Sequence, residues 1–199
     1  MNNYVRFFNA DCQGRDISFY INDQMSAQDI GFGKFSKYIQ IDGSQATFGM
    51  SCDNCQLGEC AVLTLNFDSS PVYTVAAVCI GGAICLYGIR EIYGEPNRTS
   101  ANLRVCNLSP DISEDDLYAN KYKIIGDIDY LEISKYIKMI PDTYDFTIKD
   151  GDEIKFNIGK QTLKTGKYNT FYFIGKLNAK PEMKCIVSQD AMSYEGSTL

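Results

Sequence analysis

The tetrapeptide Ser36-Lys37-Tyr38-Ile39 returns as Ser134-Lys135-Tyr136-Ile137, 98 residues further on. The same spacing lays Val5-Arg6-Phe7-Phe8-Asn9 on Leu103-Arg104-Val105-Cys106-Asn107. It also lays Phe19-Tyr20-Ile21-Asn22 on Leu117-Tyr118-Ala119-Asn120, and Phe48 on Phe146. An offset that survives from one segment to the next marks two copies of one folding unit, so whatever plan the chain adopts must be built twice. Further on, Ile80-Gly81 matches Ile174-Gly175 at an offset of 94, which gives the first copy four extra residues. The Cys-rich segment from Cys52 to Cys60 falls in that interval. The expected organisation is a first domain over 1–94 with a cysteine loop at 52–60, a short linker over 95–100, and a second domain over 101–199.

The apolar pattern has a period of two. Val5, Phe7 and Asn9 alternate with Arg6, Phe8 and Ala10, and Ile17-Ser18-Phe19-Tyr20-Ile21 is β-branched and aromatic before the turn residues Asn22-Asp23. Tyr38-Ile39-Gln40-Ile41 runs into Asp42-Gly43, a hairpin signal ahead of Ala46-Thr47-Phe48. Ala61 to Phe67 and Val72 to Ile80 are apolar runs divided by a turn that holds Pro71, which cannot donate to a strand ladder. Only Ser26–Ile30 and Ser113–Tyr118 have a helical look, the latter because Ser113 precedes three acids like a cap. About seven short strands per copy, punctuated by Gly, Pro, Asn and Asp, predict an all-β fold. That fold is two tandem antiparallel β-sandwich domains of Ig-like or Greek-key type, related by duplication. The join near Gly94–Ser100 is polar and short, so free tumbling is not expected.

With 45% hydrophobic residues in 199, two ordinary cores can be filled. The formal net charge is −6, which argues against a nucleic-acid backbone or an anionic membrane surface as partner. No apolar run reaches the roughly 18 residues a membrane-spanning helix needs. The residues after Met1 pass directly into a strand pattern with no basic and then apolar leader. Synthesis in the cytoplasm without an export signal is therefore expected.

Histidine is absent. That removes Ser-His-Asp and Cys-His catalysis and the His-containing zinc sites. Asp115-Asp116 and Asp152-Glu153 read as solvated turn charges rather than acid–base pairs. Asp127, Asp129 and Glu132 could offer oxygen ligands to calcium, but the glycine and closing glutamate of an EF-hand loop are missing. No catalytic residue, cofactor or metal site is assigned.

The eight cysteines carry the remaining chemistry: Cys12, Cys52, Cys55, Cys60, Cys79, Cys85, Cys106 and Cys185. Cytosolic thiols stay reduced, so so many point either to buried small apolar residues or to oxidation after the compartment opens. All eight are candidates for disulfides within or between subunits. Cys52-x-x-Cys55-x4-Cys60 supplies three ligands where zinc needs four, and Cys12 could bring the fourth. Cys79 and Cys85 flank Gly81-Gly82. A three-residue hairpin loop would set them face to face, whereas a two-residue loop would pair Cys79 with Ile84 and stagger the thiols. The 14 tyrosines, beside no tryptophan, read mainly as core and cross-strand residues.

The order of Val5-Arg6-Phe7-Phe8-Asn9-Ala10, Asp16-Ile17-Ser18-Phe19-Tyr20-Ile21-Asn22-Asp23, Phe32-Gly33-Lys34-Phe35-Ser36-Lys37-Tyr38-Ile39 and Tyr73-Thr74-Val75 resembles the DUF4397 family. The second copy follows the same order more loosely, with Leu103 to Leu108 and Tyr168-Asn169-Thr170. The resemblance implies tandem β-sandwiches with surface or structural roles in bacterial envelopes and no catalytic residues. Together with the cysteines and the Asn, Ile, Lys and Tyr usage, it points to a spore coat or spore appendage protein. The expected function is a non-enzymatic structural protein that associates with itself, and with other surface proteins, into a layer or filament held by cysteine cross-links. An adhesive or ligand-binding surface module and a zinc-binding cysteine loop are the alternatives.

Overall fold

The computed structural model describes residues 3–53, 55, 59–68, 72–91 and 99–194. The chain divides into two compact units, Met1–Tyr93 and Gly94–Leu199. Residues 92–98 lie outside the described residues, and with them most of the expected linker; the turn expected at Pro71 lies outside them too.

In the first unit the strands are β1 (Asn3–Asn9), β2 (Ile17–Ile21), β3 (Gln24–Ile30), β4 (Ile39–Ile41), β5 (Gln45–Ser51), β6 (Leu63–Asn66), β7 (Val72–Ile80) and β8 (Ala83–Glu91). They form two four-stranded sheets, ordered β4-β1-β7-β8 and β3-β2-β5-β6. The second unit repeats this with β9 (Ala101–Asn107), β10 (Asp115–Ala119), β11 (Tyr122–Ile128), β12 (Ile137–Met139), β13 (Asp142–Asp150), β14 (Glu153–Leu163), β15 (Tyr168–Ile174) and β16 (Lys184–Gln189). Its sheets are β12-β9-β15-β16 and β11-β10-β13-β14. Pairing is antiparallel except for β1 with β7 and β9 with β15, which run parallel in the middle of their sheets. The fold is therefore the expected duplicated, all-β sandwich. Alternation decides which residues enter the core. Val5 and Phe7 of β1 meet Ile17 and Phe19 of β2, with Phe7 stacked on Phe19 at 4.6 Å and edge-on to Phe48 at 6.1 Å. In the second unit Leu103, Val105, Leu117, Phe146, Phe171 and Phe173 fill the same space.

The outer faces of the two parallel-paired sheets are covered as well, and this explains the repeated tetrapeptide. Ser36 donates its backbone N–H to the Phe7 carbonyl and accepts the Phe7 N–H on its Oγ, so the segment before β4 is pinned along β1; Ser134 does the same to Val105. That places Tyr38 against Arg6, whose guanidinium lies 4.9 Å from the Tyr38 ring and 4.4 Å from Phe35. Arg6 Nε donates to Thr74 Oγ1 at 2.9 Å, its terminal nitrogen pairs with Glu91 Oε1 at 3.3 Å, and Tyr38 Oη donates to the same oxygen at 2.9 Å. Arg104, Thr170, Tyr136 and Asp190 repeat the clamp: Arg104 Nε to Thr170 Oγ1 at 2.8 Å, Arg104 to Asp190 at 3.4 Å, and Tyr136 Oη donating to Asp190. A buried charge is stable only when paired and hydrogen-bonded, and here a stacked ring, a hydroxyl and a carboxylate do this together. Next to the clamp, Phe8 stacks on Phe35 in the first unit, and Cys106 bridges Ile133 at the matching place in the second.

Four local expectations are corrected. Ser26–Ile30 lies within β3, and Ser113–Tyr118 leads into β10; neither is helical. Asn22 and Asp23 both take positive φ, 47° and 63°, which is the two-residue hairpin geometry that returns the chain as an edge strand with polar residues outside. Ser113 Oγ donates to Asp129 rather than capping a helix. Asp42-Gly43 is a turn but not a hairpin, because β4 pairs with β1 in one sheet and β5 with β2 and β6 in the other. An Asp-Gly pair supplies left-handed backbone (Gly43 φ 95°) for a crossing between sheets as readily as for a hairpin. Finally, the register equates Thr74 with Thr170 beside Arg6 and Arg104, an offset of 96, so the first copy gains two residues rather than four. Phe48 still matches Phe146, and their partners Leu63 and Gly159 already stand 96 apart. The gain thus lies in the cysteine segment, which replaces the tip of the β13–β14 hairpin.

Candidate functional site

At one end of the first unit β1, β5 and β7 finish while β2, β6 and β8 begin. The end is made of the β1–β2 loop, the loop after β5, the 3-10 turn Glu59–Ala61 and the β7–β8 hairpin. All six cysteines of the unit gather there, away from the end of β8 at which the chain leaves. Three disulfides join them. Cys12–Cys79 (Cα–Cα 5.8 Å) ties the β1–β2 loop to β7, Cys60–Cys85 (4.8 Å) ties the 3-10 turn to edge strand β8, and Cys52–Cys55 (5.8 Å) closes the loop after β5 on itself. The Gly81-Gly82 hairpin has a two-residue loop, with Ile80 opposite Ala83 and Cys79 opposite Ile84. Both glycines take positive φ, as that loop demands. The three-residue register that would join Cys79 to Cys85 does not occur, and the two thiols find partners elsewhere.

Cys12 does not complete a zinc site with the 52–60 loop, since it bonds Cys79 while Cys60 reaches Cys85. Beside the Cys12–Cys79 bridge sits the fully buried carboxylate of Asp11, held by Arg15 Nε at 2.8 Å and Arg15 Nη2 at 3.1 Å. Asp11 Oδ1 lies 3.0 Å from Cys79 Sγ. Among the described residues, Asp11, Cys12 and Cys79 form a group whose donor atoms lie close enough to share a cation, but in the disulfide form the sulfurs have no thiolate to give.

Next to these loops a polar cleft of about 440 Å³ is lined by Arg15, Asp16, Ser18, Asp29, Ser51, Cys52 and Asp53. Ser18 Oγ donates to Asp29 Oδ1 at 3.2 Å and accepts the Asp29 N–H at 3.0 Å. Tyr20 Oη lies 3.2 Å from the Oγ of Ser51, one of the lining residues. The lining offers carboxylates, hydroxyls and one guanidinium, a set that exchanges hydrogen bonds with polyhydroxylated or cationic groups. Sequence reasoning missed this cleft. Its residues come from β2, β3, β5 and two loops and share no motif.

The second unit has no disulfide among its described residues. Cys106 and Cys185 are free. Cys106 shares the outer face with Tyr172, whereas Cys185 pairs with Phe173 and packs against the core, so the two lie on opposite faces of one sheet. Burial pushes both thiols well above the ordinary thiol range; for Cys106 the Arg104 guanidinium opposes this and Asp190 adds to it. Of the calcium candidates, Asp129 Oδ1 accepts from Ser113 Oγ and the Glu114 N–H, and Glu132 Oε2 accepts the Asp129 N–H. Asp127 has φ 55° in the bulge of β11 between the Ile125 and Ile128 pairings, where its N–H donates to Asp116 Oδ1. The Asp129 and Glu132 carboxylates close turns.

A duplicated β-sandwich with one disulfide-braced end is the class this architecture defines. The pattern of the family described as a domain of unknown function, DUF4397, matches residues 3–115 and 101–198, and the chain belongs to that family. The first match runs past the first unit and through β9 to Asp115, the first residue of β10. A comparison with curated proteins gives no match. Among solved structures, one similar chain is that of a streptococcal virulence factor described for alpha-glucan binding, at 11% identity over 92% of this chain and 96% of that one. Its TM-score of 0.27 is too low to carry an argument.

Proposed function

We propose that the chain is a non-enzymatic structural module of a bacterial surface, stabilised by disulfides within each chain rather than between chains. The observation that supports this is the gathering of three disulfides at one end of the first unit, which suits a protein that works where thiols oxidise. Of the remaining thiols, Cys106 is buried on the covered outer face of its sheet and Cys185 packs against the core, leaving self-association to strand edges. The 11-residue edge strand β14, with Ile154 exposed, is the longest such edge among the described residues. Spore coats and spore appendages, which oxidise after the mother cell lyses, are one setting for this chemistry. The sequence's lack of histidine and of a nucleophile beside a base favours a structural over a catalytic role. The test is the size of the native-source protein on a denaturing gel with and without reductant, together with its size in native solution. A band near 22 kDa in both lanes, with larger particles in native solution, is the expected result. A ladder that collapses on reduction overturns the intrachain account.

A second reading rests on the cleft beside Cys52. Its carboxylates and hydroxyls, fixed by bridged loops, suit a ligand of many hydroxyls such as an oligosaccharide. Thermal-shift titration with a panel of oligosaccharides of different sugars and linkages, and with Asp29→Ala as control, tests it. A saturable shift lost in the variant supports a binding module, and no shift removes this ligand class.

A further inference from the structure

The end of the second unit that matches the disulfide-braced end of the first is held by charges. Asp115 opens β10 and is fully buried, two residues before the core residue Leu117. Lys155 belongs to edge strand β14, at a bulge where Ile148 pairs with Phe156 but Lys149 pairs with Ile154, so Lys155 is the extra residue. A bulge re-aims the side chain it carries. Here it sends Lys155 across β13, placing Nζ 2.8 Å from Asp115 Oδ1 and 3.2 Å from Asp150 Oδ2. Asp115 Oδ2 accepts the backbone N–H of Ser113 at 3.1 Å. Asp115 Oδ1 is buried, and the Lys155 ammonium is the charged group placed against it. At the 98-residue offset Asp115 corresponds to Ile17 and Asp150 to Cys52, so neither acid belongs to the shared plan.

We propose that Lys155 and Asp115 condense into an intramolecular isopeptide bond that cross-links β10 to β14. The reaction starts from the ion pair. A proton passes from Lys155 Nζ to Asp115 Oδ1, directly or through Asp150 Oδ2, leaving a neutral amine beside a neutral carboxyl group. The contacts with Asp115 and Asp150 favour the Lys155 ammonium, so the neutral amine is the minor form from which the reaction proceeds. The Nζ lone pair then attacks Cγ while the Ser113 N–H stabilises the charge growing on Oδ2. Asp150 takes the second proton from nitrogen and returns it to Oδ1. The Cγ–Oδ1 bond breaks, one water leaves, and an amide remains, with no electron gained or lost. Proximity supplies the driving geometry, since both groups are fixed on strands of one sheet. The bond would give the second unit a covalent brace at the same end where the first unit has disulfides.

The test is the intact mass of the full chain after reduction and denaturation, with tryptic mapping. The wild-type protein is expected to weigh one water less than its sequence, and a branched peptide joining Lys155 to Asp115 is expected in the digest. Lys155→Arg keeps a cation beside Asp115 but cannot form this amide, and it should recover the full mass. Asp150→Asn should slow the loss of water without abolishing the ion pair. A wild-type mass equal to the sequence mass, fresh and after prolonged incubation, overturns the proposal. So does a deficit that persists in Lys155→Arg.

Discussion

Arg104 and Asp190 are both almost wholly buried, and neither could be so without the other. Removing the guanidinium leaves the buried Asp190 carboxylate, which the Tyr136 and Thr170 hydroxyls also contact, without the cation paired to it. Arg104→Ala should therefore cost about 3–5 kcal/mol in a urea unfolding curve. Tyr136→Phe removes one hydroxyl from the same carboxylate and should cost about 1–3 kcal/mol. If Arg104→Ala is the milder of the two, the clamp is not what holds the segment before β12. The two free thiols give a pH dependence of definite sign. Folding keeps Cys106 and Cys185 protonated, while in the unfolded chain they ionise near the ordinary value of 9.0. Their contribution is full below that value and is lost as pH rises past it, so the urea midpoint should fall between about pH 8 and about pH 10. Cys106→Ala should flatten that fall; an unchanged slope would show that the thiol is not protected. None of these roles could be read from the sequence as such. Arg6 and Arg104 stood out only as repeated residues, because charge on a strand reads as a solvated face until the segment that covers it is known.

Among the elements, the loops of the braced end differ in how much chain each bridge encloses. The separations are 67 residues for Cys12–Cys79, 25 for Cys60–Cys85 and 3 for Cys52–Cys55. Loop entropy then ranks their stabilisation at roughly 4, roughly 3.5 and roughly 1.5 kcal/mol. Paired Cys→Ser variants compared by thermal unfolding should keep that order, and a Cys52/Cys55 variant that loses most stability would reverse it. Element positions were largely legible, because a period of two and an undisturbed offset fix strands well. The direction of the chain after a turn was not. Asp42-Gly43 carries the same local chemistry in a hairpin and in a crossing between sheets, and only the competition of β1 for β4 decides. Likewise the residues flanking Gly81-Gly82 allow two registers, and the pairing of β7 with β8 selects one. Cysteine connectivity followed from neither, since Cys12 meets Cys79 only through the parallel pairing of β1 with β7.

Over the whole molecule, one plan is stabilised in two ways. The first unit spends its cysteines on one end, and the second uses the Lys155 cluster at the matching place. Reduction should therefore split the unfolding of the chain: a calorimetric transition belonging to the first unit should drop by many degrees while that of the second stays where it was. A single transition that moves as a whole would mean that the units do not unfold separately. The duplication itself was the most legible feature, because it needs no knowledge of contacts. The cleft was the least, because its residues converge only after both sheets are formed.

The most direct measurement is a thiol count with a disulfide map of the unreduced protein, taken in native buffer and in denaturant. The account predicts no reactive thiol in native buffer, two in denaturant at Cys106 and Cys185, and the pairs Cys12–Cys79, Cys52–Cys55 and Cys60–Cys85 within single chains. Any of those six cysteines recovered in a peptide joined to a second chain would contradict it.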